Sequence, residues 1–222
     1  MDMTEHDKMR SGKIYDPFSE NMPEERAKAH RLCQLYNQIP DTETEKREEL
    51  LNELMPDHDS GVYLQGPIFF DFGKNISMGK NSYANFNFTV LDEGEVRIGS
   101  NVFIGPGVSL LTAIHPLCFE DRNYFFNPES GHITNFERTG RIEIGDNCWI
   151  GGSVTIIGNV TIGEGSVIGA GSVVTKDIPP HSLAYGVPCR AVRAITEDDR
   201  IKNHPEFLAQ PEDMRYFEFL PV

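Results

Sequence analysis

Residues 144–178 read IGDNCWIGGSVTIIGNVTIGEGSVIGAGSVVTKDI. An aliphatic residue returns at every sixth position: Ile144, Ile150, Ile156, Ile162, Ile168 and Val174. Glycine follows directly at Gly145, Gly151, Gly163 and Gly169, and a small or β-branched residue sits four places on, at Cys148, Val154, Val160, Ser166, Ser172 and Ile178. A period of six matches neither the α-helix nor the alternation of a simple strand. It matches a parallel β-helix whose short strands turn a corner every six residues, with the aliphatic side chains pointing into a narrow core. Glycine is expected at the corners to supply backbone angles that a Cβ forbids. Each coil buries its core only against the coils above and below.

The same grid runs upstream through Ile98, Ile104 and Leu110, with Gly99 and Gly105 in phase, and more loosely through Met78, Ala84 and Val90. It is interrupted after His115, and residues 116–143 are polar, aromatic and turn-forming, with Tyr124-Phe-Phe-Asn-Pro128 and Phe136. A long irregular stretch inside a regular solenoid reads as a functional loop. The β-helix domain is therefore placed at 58–195 with an excursion loop at 116–143. Residues 1–57 read as a helical region. Pro23 suits a first helical turn, and Ala29, Leu32, Cys33, Leu35, Tyr36 and Ile39 share one face up to Pro40. Thr42 with Glu45 reads as a capping box ahead of Leu50, Leu51, Leu54 and Met55, closed by Pro56. Residues 196–222 read as a tail with a short helix and an extended end.

The chain has 222 residues and a formal net charge of −14, which argues against a nucleic-acid partner. The charge is uneven: residues 1–60 hold fifteen acids and eight bases, while 141–195 hold four of each. An anionic ligand is expected on that neutral stretch. No apolar run reaches membrane-spanning length, and Met1 to Arg10 lacks a secretory signal, so a cytoplasmic location is expected. Cys33, Cys118, Cys148 and Cys189 are scattered, with no C-x-x-C pair to suggest a metal or redox site.

Four stretches carry a family resemblance: Tyr83-Ala-Asn-Phe-Asn87, Ala113-Ile-His-Pro116, Asn147-Cys-Trp-Ile-Gly-Gly152, and Ile168 through Arg193. With these the chain, from Met9 to Ile195, resembles the galactoside and maltose O-acetyltransferases among the hexapeptide-repeat acyltransferases. The resemblance implies a left-handed parallel β-helix, a homotrimer with active sites between subunits, and acetyl transfer from acetyl-CoA to a sugar hydroxyl with no metal. It implies that His115 is the catalytic base, a role imidazole suits because it titrates near neutral pH. It puts Asn85 at the junction of acetyl-CoA and acceptor. Asp16, Asp71 and Glu93 fall where the family meets its sugar; carboxylates suit adjacent hydroxyls. Glu93 departs from the aspartate of the galactoside enzymes, with Asp92 beside it, and Asp71 replaces the serine of some members. Tyr83 is read either as stacking on a sugar or as core, and Trp149 as packing at the CoA groove or in the core. Gly152, Ala170, Thr175 and Lys176 match the groove for CoA, where Lys176, Arg190 and Arg193 would supply cations for phosphates. His132 and His181 read as loop residues. The excursion loop is longer than in the bacterial galactoside enzyme and is expected either to narrow the acceptor pocket or to decorate the surface.

Three other readings use the same scaffold. One is acetyl transfer to a non-sugar acceptor such as serine or an antibiotic, against which the helical N-terminal region with Tyr15-Asp-Pro17 favours the sugar branch. A γ-type carbonic anhydrase needs three histidines around zinc, and His115 has no partner histidine in phase. A non-catalytic scaffold would not need His115, Asn85 and Lys176 together.

Overall fold

The six-residue grid closes into three columns. In the computed structural model, which describes residues 2–210, 215 and 217, Met78, Ile98, Ile144 and Ile162 lie side by side on one face of a prism. Leu64, Ala84, Ile104, Ile150, Ile168 and Ala184 align on the second. Phe70, Val90, Leu110, Ile156 and Val174 align on the third. All these side chains are buried, so they form one continuous apolar axis through parallel coils. The expected β-helix is the observed fold.

The grid slips where a corner is longer. Met78 pairs with Ile98, one coil of twenty residues, whereas Ile144 pairs with Ile162, a coil of eighteen. The two added residues fall between the third and first faces, where Asp71 and the Asp92-Glu93 pair sit. In the third coil the excursion leaves from this same corner. The looser upstream echo is thus a full coil with a wider corner. A still earlier coil, Asp57–His58, Tyr63–Leu64 and Ile68–Phe70, carries the period through His58, Leu64 and Phe70.

The glycines after the aliphatic positions serve a different purpose from the one expected. Gly145, Gly151, Gly163 and Gly169 have no left-handed backbone. They sit where coils touch: a Cβ on Gly145 would lie 2.6 Å from the Glu164 nitrogen, and one on Gly151 2.6 Å from the Ala170 nitrogen. The left-handed residues come at the turns, with φ of 57° at Asn81, 55° at Asn101, 60° at Asn147 and 65° at Gly165, one above another. Asparagine tolerates this region through local hydrogen bonding, and here Asn101 donates to Asn147 across the coils at 3.2 Å.

The helical region covers the open end of the solenoid. It comprises α1 (Glu5–Arg10), α2 (Met22–Gln38) and α3 (Thr44–Leu54). α2 packs on the edge strand Ile68–Phe70 and buries Ala29, Leu32, Cys33 and Tyr36, while Leu35 is exposed. Asn37 satisfies that edge as a neighbouring strand would: its Nδ2 donates to the Ile68 carbonyl at 2.9 Å and its Oδ1 accepts from the Ile68 N–H at 2.7 Å. Buried Arg47 donates to the carbonyls of Ile39, Leu64 and Gln65. An exposed β edge is an aggregation hazard, and this cover removes it. The expected capping box at Thr42 and Glu45 does not form, because α3 begins at Thr44 with Glu43 as an N-cap whose side chain makes no capping hydrogen bond. A capping box forms instead at Thr4 and Asp7 of α1.

At the other end, Ser182–Gly186 joins the second face and folds back on Cys189–Ala194 as an antiparallel hairpin. Beyond it run three short 3₁₀ turns, Glu197–Asp199, Ile201–Asn203 and Pro205–Phe207, in place of the expected short helix. The expected extended end lies almost wholly outside the described residues. No described helix is long and apolar enough to cross a membrane.

Candidate active site

The excursion is more ordered than its sequence suggests. Ala113–Ile114 pairs antiparallel with Arg138–Thr139, in the register Ala113 with Thr139 and Ile114 with Arg138. The next rung of that ribbon sets His115 opposite Glu137. The His115 Nδ1 lies 3.8 Å from a Glu137 carboxylate oxygen, an ion-pair separation longer than a hydrogen bond, and the imidazole is half exposed. The other Glu137 oxygen accepts from the Tyr15 hydroxyl at 2.9 Å. Tyr15 and Glu137 also exchange backbone hydrogen bonds, and Tyr15 is fully buried. Burial, with Glu137 and Glu93 nearby, pushes the Tyr15 phenol far up, so it stays a donor. No sequence period marks Glu137; only the fold-back of the loop makes it a neighbour of His115.

The same edge of the prism gathers acids. Asp92 is buried and accepts from the Phe72 N–H at 2.8 Å, and burial raises its pKa to about 6. Glu93 is buried too, and desolvation together with Asp71 raises its pKa to about 9. One Glu93 oxygen has no hydrogen-bond partner. Asp71 meets the His30 imidazole at 3.0 Å. The folded chain therefore holds a proton on Glu93 that the unfolded chain releases above about pH 4.5. The linked stability is full below that pH and is lost as pH rises toward 9. A Glu93→Gln chain, neutral at every pH, is expected to show a flatter dependence of its urea midpoint between pH 5 and 9. An unchanged slope would assign the titration to another group.

Asp16, which the resemblance places at the sugar, also binds groups of the protein itself. It is 5% exposed, its Oδ1 accepts from the Phe18 N–H and the Thr134 hydroxyl, and its Oδ2 lies 3.0 Å from His132 Nε2. Both oxygens are occupied by the protein, two of the partners coming from the excursion hairpin.

Asn85 and Tyr83 lie elsewhere, at the edge joining the second and third faces. With Phe103, Gly105, Trp149 and Gly152 they line a groove of about 570 Å³. Trp149 is 57% exposed, which excludes the core alternative. Tyr83 stacks on Tyr63 with centroids 6.0 Å apart. The Asn85 Oδ1 accepts from the Phe86 N–H at 2.7 Å, which fixes the amide orientation. Its Nδ2 is left as a donor without a partner among the described residues. Ala170 lies one coil beyond, over Gly151, on the same edge.

Thr175 and Lys176 lie at the corner between the third and first faces, on the edge of His115 and not on that of the groove, while Arg190 and Arg193 lie on the antiparallel hairpin of the second face, toward the C-terminal end of the solenoid. Lys176 makes no ion pair among the described residues. Among the described residues the Arg190 guanidinium donates to its neighbour's carbonyl alone, at 2.7 Å. Arg193 is already engaged by Asp199 through both guanidinium nitrogens, at 2.8 and 2.7 Å, and this holds the Asp199 carboxyl down at about 2.

Two family models match the chain: the maltose acetyltransferase hexapeptide capping motif over residues 8–58, and the bacterial transferase hexapeptide of six repeats over 141–176. The galactoside O-acetyltransferase of Escherichia coli K12 is 42% identical over 200 residues, covering 90% of this chain and 94% of its own. The chain belongs to the maltose and galactoside O-acetyltransferase family. Solved structures of this family agree. A maltose O-acetyltransferase from Clostridium difficile 630 superposes with a TM-score of 0.78 at 41% identity, over 88% of this chain and 99% of its own. A galactoside acetyltransferase in complex with coenzyme A gives 0.76 at 39%, over 89% and 94%. The capping-motif match falls on the helical region that closes the solenoid, and the repeat match on coils without the wider corner.

Proposed function

We propose that the protein transfers the acetyl group of acetyl-CoA to a sugar hydroxyl, with His115 as general base. One observation supports this reading most: the half-exposed His115 imidazole stands opposite a partly buried carboxylate, Glu137, that is itself held by Tyr15. Glu137 favours a proton on the near ring nitrogen, Nδ1, and leaves Nε2 to take the proton of an attacking hydroxyl. The separation of 3.8 Å tightens once imidazolium forms, since a carboxylate attracts the cation. As the acceptor oxygen bonds to the acetyl carbon, the Asn85 amide donates to the carbonyl oxygen that becomes negative. When the carbon–sulfur bond breaks, His115 returns the proton to the departing CoA thiolate. The acetate ester and free CoA account for every atom.

The groove beside Asn85 suits the pantetheine arm: Gly105 and Gly152 keep its wall low, and Phe103 and Trp149 give it an apolar side. The amino acids on the His115 edge suit the acceptor. Glu93, held neutral, can donate to a sugar hydroxyl, and Asp71 can accept from one. Lys176, Arg190 and Arg193 are the cations for the CoA phosphates. Replacing Arg190 and Arg193 with Ala is expected to raise the KM for acetyl-CoA about tenfold or more, the loss of a charged hydrogen bond, with a smaller change for the sugar. The reverse pattern would relocate the CoA site.

The position of these groups supports the homotrimer that the resemblance implies. Asn85 belongs to the edge between the second and third faces, and His115 to the edge between the third and first. One chain keeps them apart, so a neighbouring copy must bring its His115 to this chain's Asn85. The outward column of the second face, Tyr63, Tyr83, Phe103 and Trp149, is aromatic, whereas that of the first face, Ser77, Arg97, Glu143 and Thr161, is polar. An apolar column of that extent suits an interface. The test is a screen of acceptors with labelled acetyl-CoA. Labelled galactoside or maltose is the expected product. CoA binding without any labelled sugar would overturn the acceptor class, and failure to bind millimolar CoA would overturn the transferase reading.

A further inference from the structure

The segment that follows the solenoid holds the guanidinium of Arg193 in one pose. Arg193 ends a column on the second face: Trp149 pairs with Val167, Val167 with Leu183, and Leu183 with Arg193. It therefore stands on the face of the groove wall, a few strands further along, and it is half exposed. Of the five N–H groups that an arginine side chain offers, three are engaged. Nη1 donates to the Ala194 carbonyl at 3.0 Å and to one Asp199 oxygen at 2.8 Å, and Nη2 donates to the other Asp199 oxygen at 2.7 Å. Asp199 thus fills the fork between the two terminal nitrogens. The side fork, Nε with the second hydrogen of Nη2, has no partner among the described residues. Asp199 is fixed in turn by a capping box on the 3₁₀ turn Glu197–Asp199. The Thr196 hydroxyl accepts from the Asp199 N–H, and the Asp199 carboxylate accepts from the Thr196 N–H at 2.9 Å. The Ile195 N–H donates to the His181 carbonyl at 2.7 Å, which ties the start of this segment to the last coil.

We propose that Asp199 is a positioning residue for the acetyl donor: it holds Arg193 so that the open side fork of the guanidinium is ready for a CoA phosphate. This rests on the reading of Arg193 as a CoA cation. A planar fork matches two phosphate oxygens only in the right orientation. A free, exposed arginine samples many rotamers and gives them up on binding, and a side chain ordered beforehand avoids that loss. The carboxylate also subtracts from the charge that a phosphate meets. Ordering outweighs this, because carboxylate and phosphate would sit on adjoining edges of the guanidinium in open water, where solvent and salt screen them. Among the described residues neither Lys176 nor Arg190 has a carboxylate partner, so of the three cations Arg193 is the one set in advance. The device is local: a capping box three residues past the hairpin fixes one carboxylate, and the carboxylate fixes the guanidinium.

Titration of CoA against the full-length protein, read by Trp149 fluorescence, tests this with Asp199→Ala, Arg193→Ala and the two together. Asp199→Ala is expected to raise the dissociation constant of CoA by about threefold to tenfold, the ordering cost of one side chain. Arg193→Ala is expected to raise it at least as much, and adding Asp199→Ala to that variant is expected to change nothing further. With Arg193→Ala weakened, tighter binding by Asp199→Ala would mean that the carboxylate competes with the phosphate, and unchanged binding that it has no part; either result overturns the positioning role alone. An equal rise from Asp199→Ala with and without Arg193 would put its effect in the fold of the tail and would overturn the role as well. If Arg193→Ala itself binds CoA as the native protein does, or the native protein binds none, Arg193 is not a CoA cation, and that reading falls together with the role of Asp199.

Discussion

Replacing His115 with Ala is expected to lower turnover by roughly 10²–10⁴-fold, the usual contribution of a positioned general base, while acetyl-CoA still binds. The two effects separate because the wall of the groove is built by other side chains, Tyr83, Asn85, Phe103 and Trp149 with Gly105 and Gly152. Nothing about the fold should change, since the imidazole is half exposed and makes no hydrogen bond among the described residues. Single-turnover release of CoA, read with CoA-induced quenching of Trp149 fluorescence, measures both quantities on one sample. Turnover within threefold of the native value would remove His115 from its role.

Replacing Asn85 with Ala is expected to lower kcat by about 10²–10³-fold, the loss of one oxyanion donor. Here the arrangement makes a stronger demand. If Asn85 of one copy works with His115 of the next, two inactive variants should rescue one another. Trimers assembled at random from equal amounts of His115→Ala and Asn85→Ala chains contain intact pairs at about one interface in four, because each interface draws one group from each neighbour. Co-expression should therefore restore about a quarter of native activity. Activity no higher than that of either variant alone would mean that both groups act within one chain, or that one of them does not act at all.

The two predictions draw on residues that were legible in the sequence to different degrees. His115 was legible as the residue at which the six-residue rhythm stops. Asn85 was legible only through the Tyr83–Asn87 motif, since an asparagine at a corner is otherwise an ordinary turn residue, as Asn81, Asn101 and Asn147 are here. Glu137 was not legible, because a carboxylate in an irregular loop carries no period. Asp16 was legible as a motif residue, but its hydrogen bonds to His132 and Thr134 were not. His132 read as an idle loop residue for the same reason.

By itself the sequence determined the solenoid. Hexad periodicity is a local property, repeated coil after coil, and each coil needs only its neighbours to bury Ile144, Ile150 and Ile156, so the pattern is sufficient to specify the stack. The sequence also marked where the stack would be interrupted, by the absence of that pattern. Tertiary structure alone decided what the interruptions do. The wider corners bring Asp71 and Glu93 to one edge, the loop returns Glu137 to His115 across more than twenty residues, and the N-terminal segment closes on the hairpin through Tyr15 and Asp16. These contacts join segments far apart in the chain and depend on single side chains meeting once, and a contact made once leaves no period to read.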